Sequence, residues 1–360
     1  MLDQTREKAG QKARSTAMFT PARPYTFHIE LTDKCNARCP MCPRTNHLDQ
    51  CRPNRDVVHN VELTLADFET HFTPDFCART EKVIFGGAYG DPLAAPELLE
   101  IVEHLTRHGV GVAIATNGSL RKPDWWARMG RAMARTASVL ELHIDGLEDT
   151  THLYRIGTDY AKIIENAVAY IATGARAEWH FILFGHNEHQ VEEAHRRSRD
   201  LGFHGFTLID SIRFGPRGVF NFQKPDGSAG QYWEPVRKAA DFALDEAGGL
   251  EIAPPEPPDL NPAKIRGIDC KSARRNSPYI SAHGIVSACC WMTGSTEEAA
   301  FNTGHGLDKG HFSIRHRPLA EIMADEPFAS FYAHAWDADS LRTCQIKCGR
   351  EQKQNKRNSL

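Results

Sequence analysis

The stretch LTDKCNARCPMCPRT, residues 31–45, decides how this chain is read. It sets Cys35, Cys39 and Cys42 in a C-x3-C-x2-C pattern directly after an apolar, strand-like run, YTFHIEL (25–31). Thiols that close form half of a disulfide set, a zinc knuckle, an iron–sulfur ligand set, or a coincidence. The rest of the chain has to choose among them.

The chain has 360 residues, 41% hydrophobic and 25% charged, which describes a globular protein of more than one average domain. A formal net charge of -3 offers no electrostatic basis for binding nucleic acid or an anionic membrane. No apolar run approaches bilayer length, and the opening MLDQTREKAGQKARS lacks a signal-peptide core. The expected compartment is the cytoplasm, where thiols stay reduced. Ten cysteines there read better as metal or catalytic ligands than as disulfides.

Working outward from the cysteines, apolar β-type runs alternate with helical patterns. After YTFHIEL come VIFGGA (83–88), VGVAIAT (110–116), VLELHID (139–145), WHFILF (179–184) and FTLIDS (206–211). Between them, PELLEIVEHLTRHG (96–109), YAKIIENAVAYIATG (160–174) and NEHQVEEAHRRSRDLG (187–202) carry helical spacing and end on glycine. Six strand–helix units predict an α/β fold, a parallel sheet with helices outside. Active sites of barrels lie at the C-terminal strand ends, and the three cysteines fall there. Beyond residue 212 the pattern changes to a loop-rich stretch, a helix expected around 232–247, and the proline-dense APPEPPDLNP (253–262). The expected division is a flexible lead-in (1–24), a core (25–215), a linker with a helix (216–262), a cysteine-bearing domain (263–350) and a polar tail (351–360).

Three cysteines at this spacing can hold three corners of a [4Fe–4S] cluster and leave one iron open. Structural zinc usually takes four protein ligands, and no fourth Cys or His completes such a pattern locally. At this point the resemblance is plain: CNARCPMC after a first β-strand looks like the cluster motif of the radical S-adenosylmethionine (radical SAM) superfamily. The resemblance covers much of residues 25–212 and implies a partial (β/α)6 TIM-type barrel. It also implies that Cys35, Cys39 and Cys42 bind a [4Fe–4S] cluster whose open iron is chelated by SAM. Reductive cleavage of SAM would then give a 5′-deoxyadenosyl radical that takes a hydrogen atom from a substrate C–H bond.

The resemblance implies further SAM-site residues. Met41 sits where the family places an apolar residue against adenine. FGGAYGDPL (85–93), at the end of the second strand, is similar to a Gly-rich segment whose backbone meets the SAM amino group; it supplies Gly87, Ala88, Gly90 and Asp91. The family segment often carries Glu where this chain has Asp91. ATNGS (115–119) supplies Asn117, and HIDG (143–146) supplies His143, often Ser in the family, and Asp145. HLYRIG (152–157) offers Arg155, and Asn187 fits a polar residue after the fifth strand, although Asn is also a good helix N-cap.

A second set follows. Cys270, Gly284 and Cys289 are spaced C-x13-G-x4-C, and CQIKC adds Cys344 and Cys348. Four such thiols suit one fully ligated iron–sulfur cluster or a structural zinc. The pattern is similar to the SPASM/twitch extension of radical SAM enzymes, in the shorter form with one auxiliary [4Fe–4S] cluster; the family's second pair is usually C-x2-C. Cys290 is the spare, as alternative ligand, hydrogen-atom donor or buried side chain. Cys51 and Cys77 read as buried small hydrophobes.

The resemblance therefore implies an oxidoreductase-type enzyme that oxidises a small metabolite and passes an electron to the auxiliary cluster, with a flavodoxin- or ferredoxin-like external reductant. Only 34 residues precede Cys35, short for a peptide-recognition domain, which favours a small molecule, or a peptide delivered by a separate partner. The alternative is modification of a ribosomally synthesised peptide by the same chemistry. More distant readings are a non-catalytic zinc-binding or scaffold protein, which metal content would distinguish, or an iron–sulfur electron carrier, which leaves the GGAYGDP and ATNG strand ends unexplained.

Overall fold

The structure, a computed structural model, describes residues 24–211, 213–242, 244, 250–252, 265–292, 310–325 and 342–351. These residues fall into two compact units. One holds the described residues of Phe27–Glu256 together with Ile280–Gly284; the other holds those before Phe27, in Pro257–Tyr279 and beyond Gly284.

All six expected strands form: β1 (Tyr25–Ile29), β2 (Thr80–Phe85), β3 (Gly111–Thr116), β4 (Val139–His143), β5 (Ala177–Leu183) and β6 (Gly205–Asp210). They neighbour one another in sequence order, and the β2–β3, β3–β4, β4–β5 and β5–β6 pairings are parallel. The connecting helices include α1 (Leu65–His71), α2 (Leu98–Arg107), α3 (Pro123–Met133), α4 (Tyr160–Ile171) and α5 (Val191–Asp200). A doubly covered parallel sheet would read as continuous apolar runs. Here β4 and β5 alternate instead. Leu140, Leu142, Trp179 and Phe181 are fully buried, and Trp179 and Phe206 pack with Phe203 and with His195 of α5. The alternate positions, Glu141, His143, Glu178 and His180, share the other face. A filled barrel would carry branched apolar layers there. A polar inner face suits a sheet that keeps its interior for a ligand.

Past β6 the expectation fails. The helix expected around 232–247 does not form among the described residues. Residues 219–223 (β7, Val219–Gln223) and 229–233 (β8, Ala229–Trp233) make an antiparallel hairpin, and 239–241 form one 3-10 turn. The cause is local. VFNFQ alternates, PDGS makes the turn with Gly227 at φ +87, and Pro235 stops any helix from running back through 232. Phe222 and Tyr232 are thereby buried. A further strand, β9 (Leu250–Ile252), pairs in parallel with β6.

In the second unit, β10 (Ile265–Ile268) pairs antiparallel with β11 (Gly349–Glu351). Short helices α6 (Lys271–Arg275), α7 (Leu319–Met323) and α8 (Arg342–Cys348) also form, and α8 packs on this ladder. Among the described residues no helix is long and apolar enough to cross a membrane.

Candidate functional site

The cysteine loop leaves β1 and turns on itself. The Cys42 N–H donates to the Cys39 carbonyl at 3.0 Å, and Thr45 N–H to the Cys42 carbonyl at 2.9 Å. Cys39 belongs to, and Cys35 and Cys42 pack against, one buried apolar cluster that also holds Met41, Cys51, Tyr154, Phe184, Phe222 and Tyr232. Burial pushes the Cys35 thiol up to about 12 and the Cys39 thiol up to about 11, and raises Cys42 as well. Three guanidiniums oppose that penalty. Arg44 acts on Cys35 and Cys42, Arg155 on Cys39 and Cys42, and Arg213 on Cys42. N–H donors also aim at the sulfurs: Ala37 N–H at 3.3 Å and Asn117 Nδ2 at 3.9 Å on Cys35, and Arg155 at 3.9 Å on Cys39. Bare thiols are poor acceptors; thiolates bonded to a metal need such donors and cations. The donor set therefore fits an anionic, three-thiolate iron–sulfur cluster.

The Gly-rich loop is bound tightly to this one. Buried Glu30, on the exit of β1, accepts the N–H groups of Tyr89 at 2.6 Å and Gly90 at 3.0 Å. Arg44 donates to the Tyr89 carbonyl at 2.6 Å and to the Asp33 carbonyl at 3.3 Å. A Cβ on Gly90 would lie 1.7 Å from the Thr32 carbonyl oxygen, so only glycine fits. The Ala88 carbonyl accepts from the Cys42 thiol at 3.6 Å.

Asp91 is placed beside Asn117, but its carboxylate is fully occupied by the protein. It accepts from the Leu93 and Asn117 N–H groups, from the Thr116 hydroxyl and from Asn117 Nδ2 at 2.7–3.0 Å. Asn117 Nδ2 also reaches Asn36 Oδ1 at 3.0 Å, and Asn36 bonds Ser119. Asp91 and Asn117 thus lock the ends of β2 and β3 beneath Cys35.

Asp145, fully buried, accepts from Arg155 Nε at 2.6 Å and from the Ile182 N–H at 2.8 Å. Burial raises its carboxyl and Arg155 opposes this; Asp145 in turn holds the guanidinium firmly charged. Arg155 is thus a fixed cation facing Cys39. Asn187 stands at the N-cap position of the 3-10 turn Glu188–Gln190, but its side chain makes no capping bond. Its side chain is spent on main chain, donating to the Asp145 and Ile182 carbonyls and accepting from the Phe184 N–H. His143 lies on the inner sheet face, its ring 5.0 Å from that of His180; burial, then His180 and Arg155, lower it well below the ordinary histidine range.

The hairpin β7–β8 covers the loop. Gln223 N–H donates to the His47 carbonyl at 2.7 Å, and the Cys51 thiol to the Gln223 carbonyl at 3.2 Å. Arg213 donates to the Met41 carbonyl. Cys51 and Cys77 are buried at 1% and 3% exposure, and the Cys77 thiol donates to the Phe72 carbonyl, as expected of packing residues. Sequence reasoning missed Glu30, Arg44 and Arg213, whose partners lie 59, 45 and 172 residues away.

In the second unit the β10–β11 ladder brings Cys270 beside Cys348, with the Asp269 N–H on the Cys348 carbonyl at 2.7 Å. A thiol–thiol hydrogen bond raises Cys270 and lowers Cys348. Burial, then the neighbouring Cys290, pushes Cys289 up to about 12, and Cys344 adds to this. Cys289 in turn acts on Cys270. Cys270, Cys289, Cys344 and Cys348 therefore sense one another in one region, which is the donor set of a four-thiolate cluster or zinc.

A parallel α/β sheet with a three-cysteine loop after its first strand defines an iron–sulfur protein with an open cluster corner. Residues 29–198 match the sequence model of the Radical SAM superfamily. Over 191 residues the chain is 29% identical to the AdoMet-dependent heme synthase of Methanosarcina barkeri, covering 51% of this chain and 50% of that protein. Over 94 residues it is 29% identical to a tungsten-containing aldehyde ferredoxin oxidoreductase cofactor-modifying protein of Pyrococcus furiosus, covering 26% and 24%. The chain thus spans half or less of these curated relatives. In fold it is similar to Streptococcus suis SuiB bound to S-adenosylmethionine, with TM-score 0.56 at 13% identity over 87% of this chain and 68% of that one. It is also similar to anSMEcpe with bound AdoMet, with TM-score 0.55 at 14% identity over 90% and 89%.

Proposed function

We propose that the chain is a radical SAM enzyme that oxidises a small polar metabolite. When bound, a [4Fe–4S] cluster and SAM supply the 5′-deoxyadenosyl radical that takes a hydrogen atom from the substrate, and an auxiliary cluster takes up the electron the substrate then loses.

The observation that carries this reading is three thiols ringed by Arg44, Arg155 and Arg213, inside a domain of this superfamily. Cys35, Cys39 and Cys42 are the cluster ligands. Arg155, fixed by Asp145, offsets the thiolate charge beside Cys39. Gly87, Ala88 and Gly90 present main chain to SAM because Glu30 and Arg44 hold their loop against the cysteine loop. Met41 offers an apolar face toward adenine. Asp91, Asn117 and Asn187 act by holding strand ends, their side-chain bonds being taken by the protein. The hairpin β7–β8 and the aromatic cluster keep water from the cysteines.

Glu141, His143, Glu178 and His180 give the sheet's inner face hydrogen-bonding and charged groups suited to a polar small molecule. Cys270, Cys289, Cys344 and Cys348 hold the auxiliary cluster, and a flavodoxin- or ferredoxin-like protein supplies the first electron, in the cytoplasm. Peptide modification is the competing reading; substrate trials with both classes separate them.

Iron and sulfide counting after anaerobic reconstitution tests the assignment. The wild type should hold about eight irons, and the Cys35→Ala/Cys39→Ala/Cys42→Ala variant about four. About four irons in the wild type that vanish in that variant would remove the auxiliary cluster; zinc without iron would remove the whole reading.

A further inference from the structure

We propose that Asp33, His59 and His283 form a site for a divalent transition metal of the zinc class, with no thiol in its donor set. The three residues come from segments 26 and 224 residues apart: the exit of β1, the loop before α1, and the turn at 280–284 that returns to the same compact unit. The return is fixed by the Glu30 N–H on the Ile280 carbonyl at 2.9 Å. One donor atom from each of the three residues lies within 4.8 Å of the others.

Two observations point to a cation. The first is Asp33. It is only 3% exposed, and its two oxygens accept the main-chain N–H groups of His59 at 2.6 Å and Val61 at 3.0 Å. Those bonds orient the carboxylate, yet among the described residues no ion pair forms on it; nearby Arg44 bonds the Asp33 carbonyl instead, and Lys34 pairs with Glu62. A buried carboxylate asks for a positive charge. The second is the imidazole pair. His283 Nε2 lies 3.2 Å from His59 Nδ1, with ring centroids 5.0 Å apart. Two nitrogens on a tetrahedral zinc, at bonds of 2.0–2.1 Å, are separated by about 3.3 Å. Both rings are exposed, so water can complete the coordination. Two imidazoles and one carboxylate suit zinc, iron(II) or cobalt(II) better than calcium or magnesium.

Bound metal would tie the 280–284 turn to the root of the cysteine loop, adding the metal's binding free energy to the stability of that unit. The site does not depend on the SAM reading.

The test uses full-length protein with its clusters reconstituted, so that thiols do not compete. Zinc is added, excess is removed on a desalting column, and zinc and iron are counted. Zinc K-edge absorption then reports the ligand shell. One retained zinc per chain is expected, with a nitrogen/oxygen shell at about 2.0–2.1 Å and no sulfur at about 2.3 Å. His59→Gln and His283→Gln should each lose the zinc with iron unchanged, and zinc should raise the melting temperature of the wild type but of neither variant. No retained zinc, a sulfur shell, or zinc retained and stabilising in both variants would each overturn the proposal. A zinc-free protein whose stability follows the protonation of the two imidazoles would identify the pair as Asp33's counter-charge instead.

Discussion

Asp145→Asn tests the electrostatic frame of the cysteine loop. Asp145 is completely buried and pairs with Arg155 at 2.6 Å, and Arg155 reaches Cys39 at 3.9 Å. The variant keeps an acceptor for the Ile182 N–H, but it loses the charge and turns an amide donor toward the guanidinium. Removing one partner of a buried ion pair costs about 3–5 kcal/mol, because the other charge remains uncompensated. In a unit of this size, that lowers the melting temperature by roughly 6–20 °C. The assay is thermal and urea unfolding under argon, completed as a double-mutant cycle with Arg155→Met. The double variant Asp145→Asn/Arg155→Met removes both charges, so it should cost clearly less than the sum of the singles, with a coupling of about 1–3 kcal/mol. Additive singles, or a loss below about 1 kcal/mol for Asp145→Asn, would refute the claim that this pair is a desolvated, mutually dependent unit.

Gly90→Ala forces a Cβ to within 1.7 Å of the Thr32 carbonyl, so the loop must move; a loss of at least about 3 kcal/mol, with impaired cluster loading at Cys35, is expected from unfolding curves and iron counts. Cys270→Ser and Cys348→Ser should each remove the auxiliary set's share of iron, about four atoms, while a SAM-responsive cluster remains, as read by iron assay and electron paramagnetic resonance. His186, stacked on Phe184, is pulled down to about 4 by burial and then by His189. The unfolded chain therefore takes up this proton first, and stability falls as pH drops from about 6.5 to about 4, by about 3 kcal/mol from this group, then levels off. His186→Phe should show a correspondingly flatter urea-midpoint profile across that window, and an unchanged profile would contradict the assignment.

Strand order and the cysteine sets were legible because both are local patterns. YTFHIEL and WHFILF declare themselves within a few residues, and C-x3-C-x2-C needs no partner to be seen. The hairpin was also legible: alternation in VFNFQ and an Asp-Gly turn outweighed the helix formers after Pro235, and the helical reading missed that period. What the sequence did not disclose are the side chains whose role is created by adjacency. Glu30 is one strand residue among many until β2 lies beside it and its carboxylate meets Tyr89 and Gly90. Asp91 and Asn117 stand in motifs that suggest ligand contact, yet their polar atoms are spent on each other and on Thr116. His143, read from the same strand end as Asp145, faces His180 on the inner sheet surface rather than the cysteines. The two positions are two residues apart and share strand parity; what separates them is their partners, Arg155 and the Ile182 N–H for Asp145 just past the end of β4, and the His180 ring for His143.

The most direct measurement is 5′-deoxyadenosine formed from SAM by the reconstituted protein under dithionite, alongside the Cys35→Ala/Cys39→Ala/Cys42→Ala variant. Multiple turnovers in the wild type and none in the variant are the predicted result. No deoxyadenosine from a wild type that holds its irons, or equal amounts from both proteins, would contradict it.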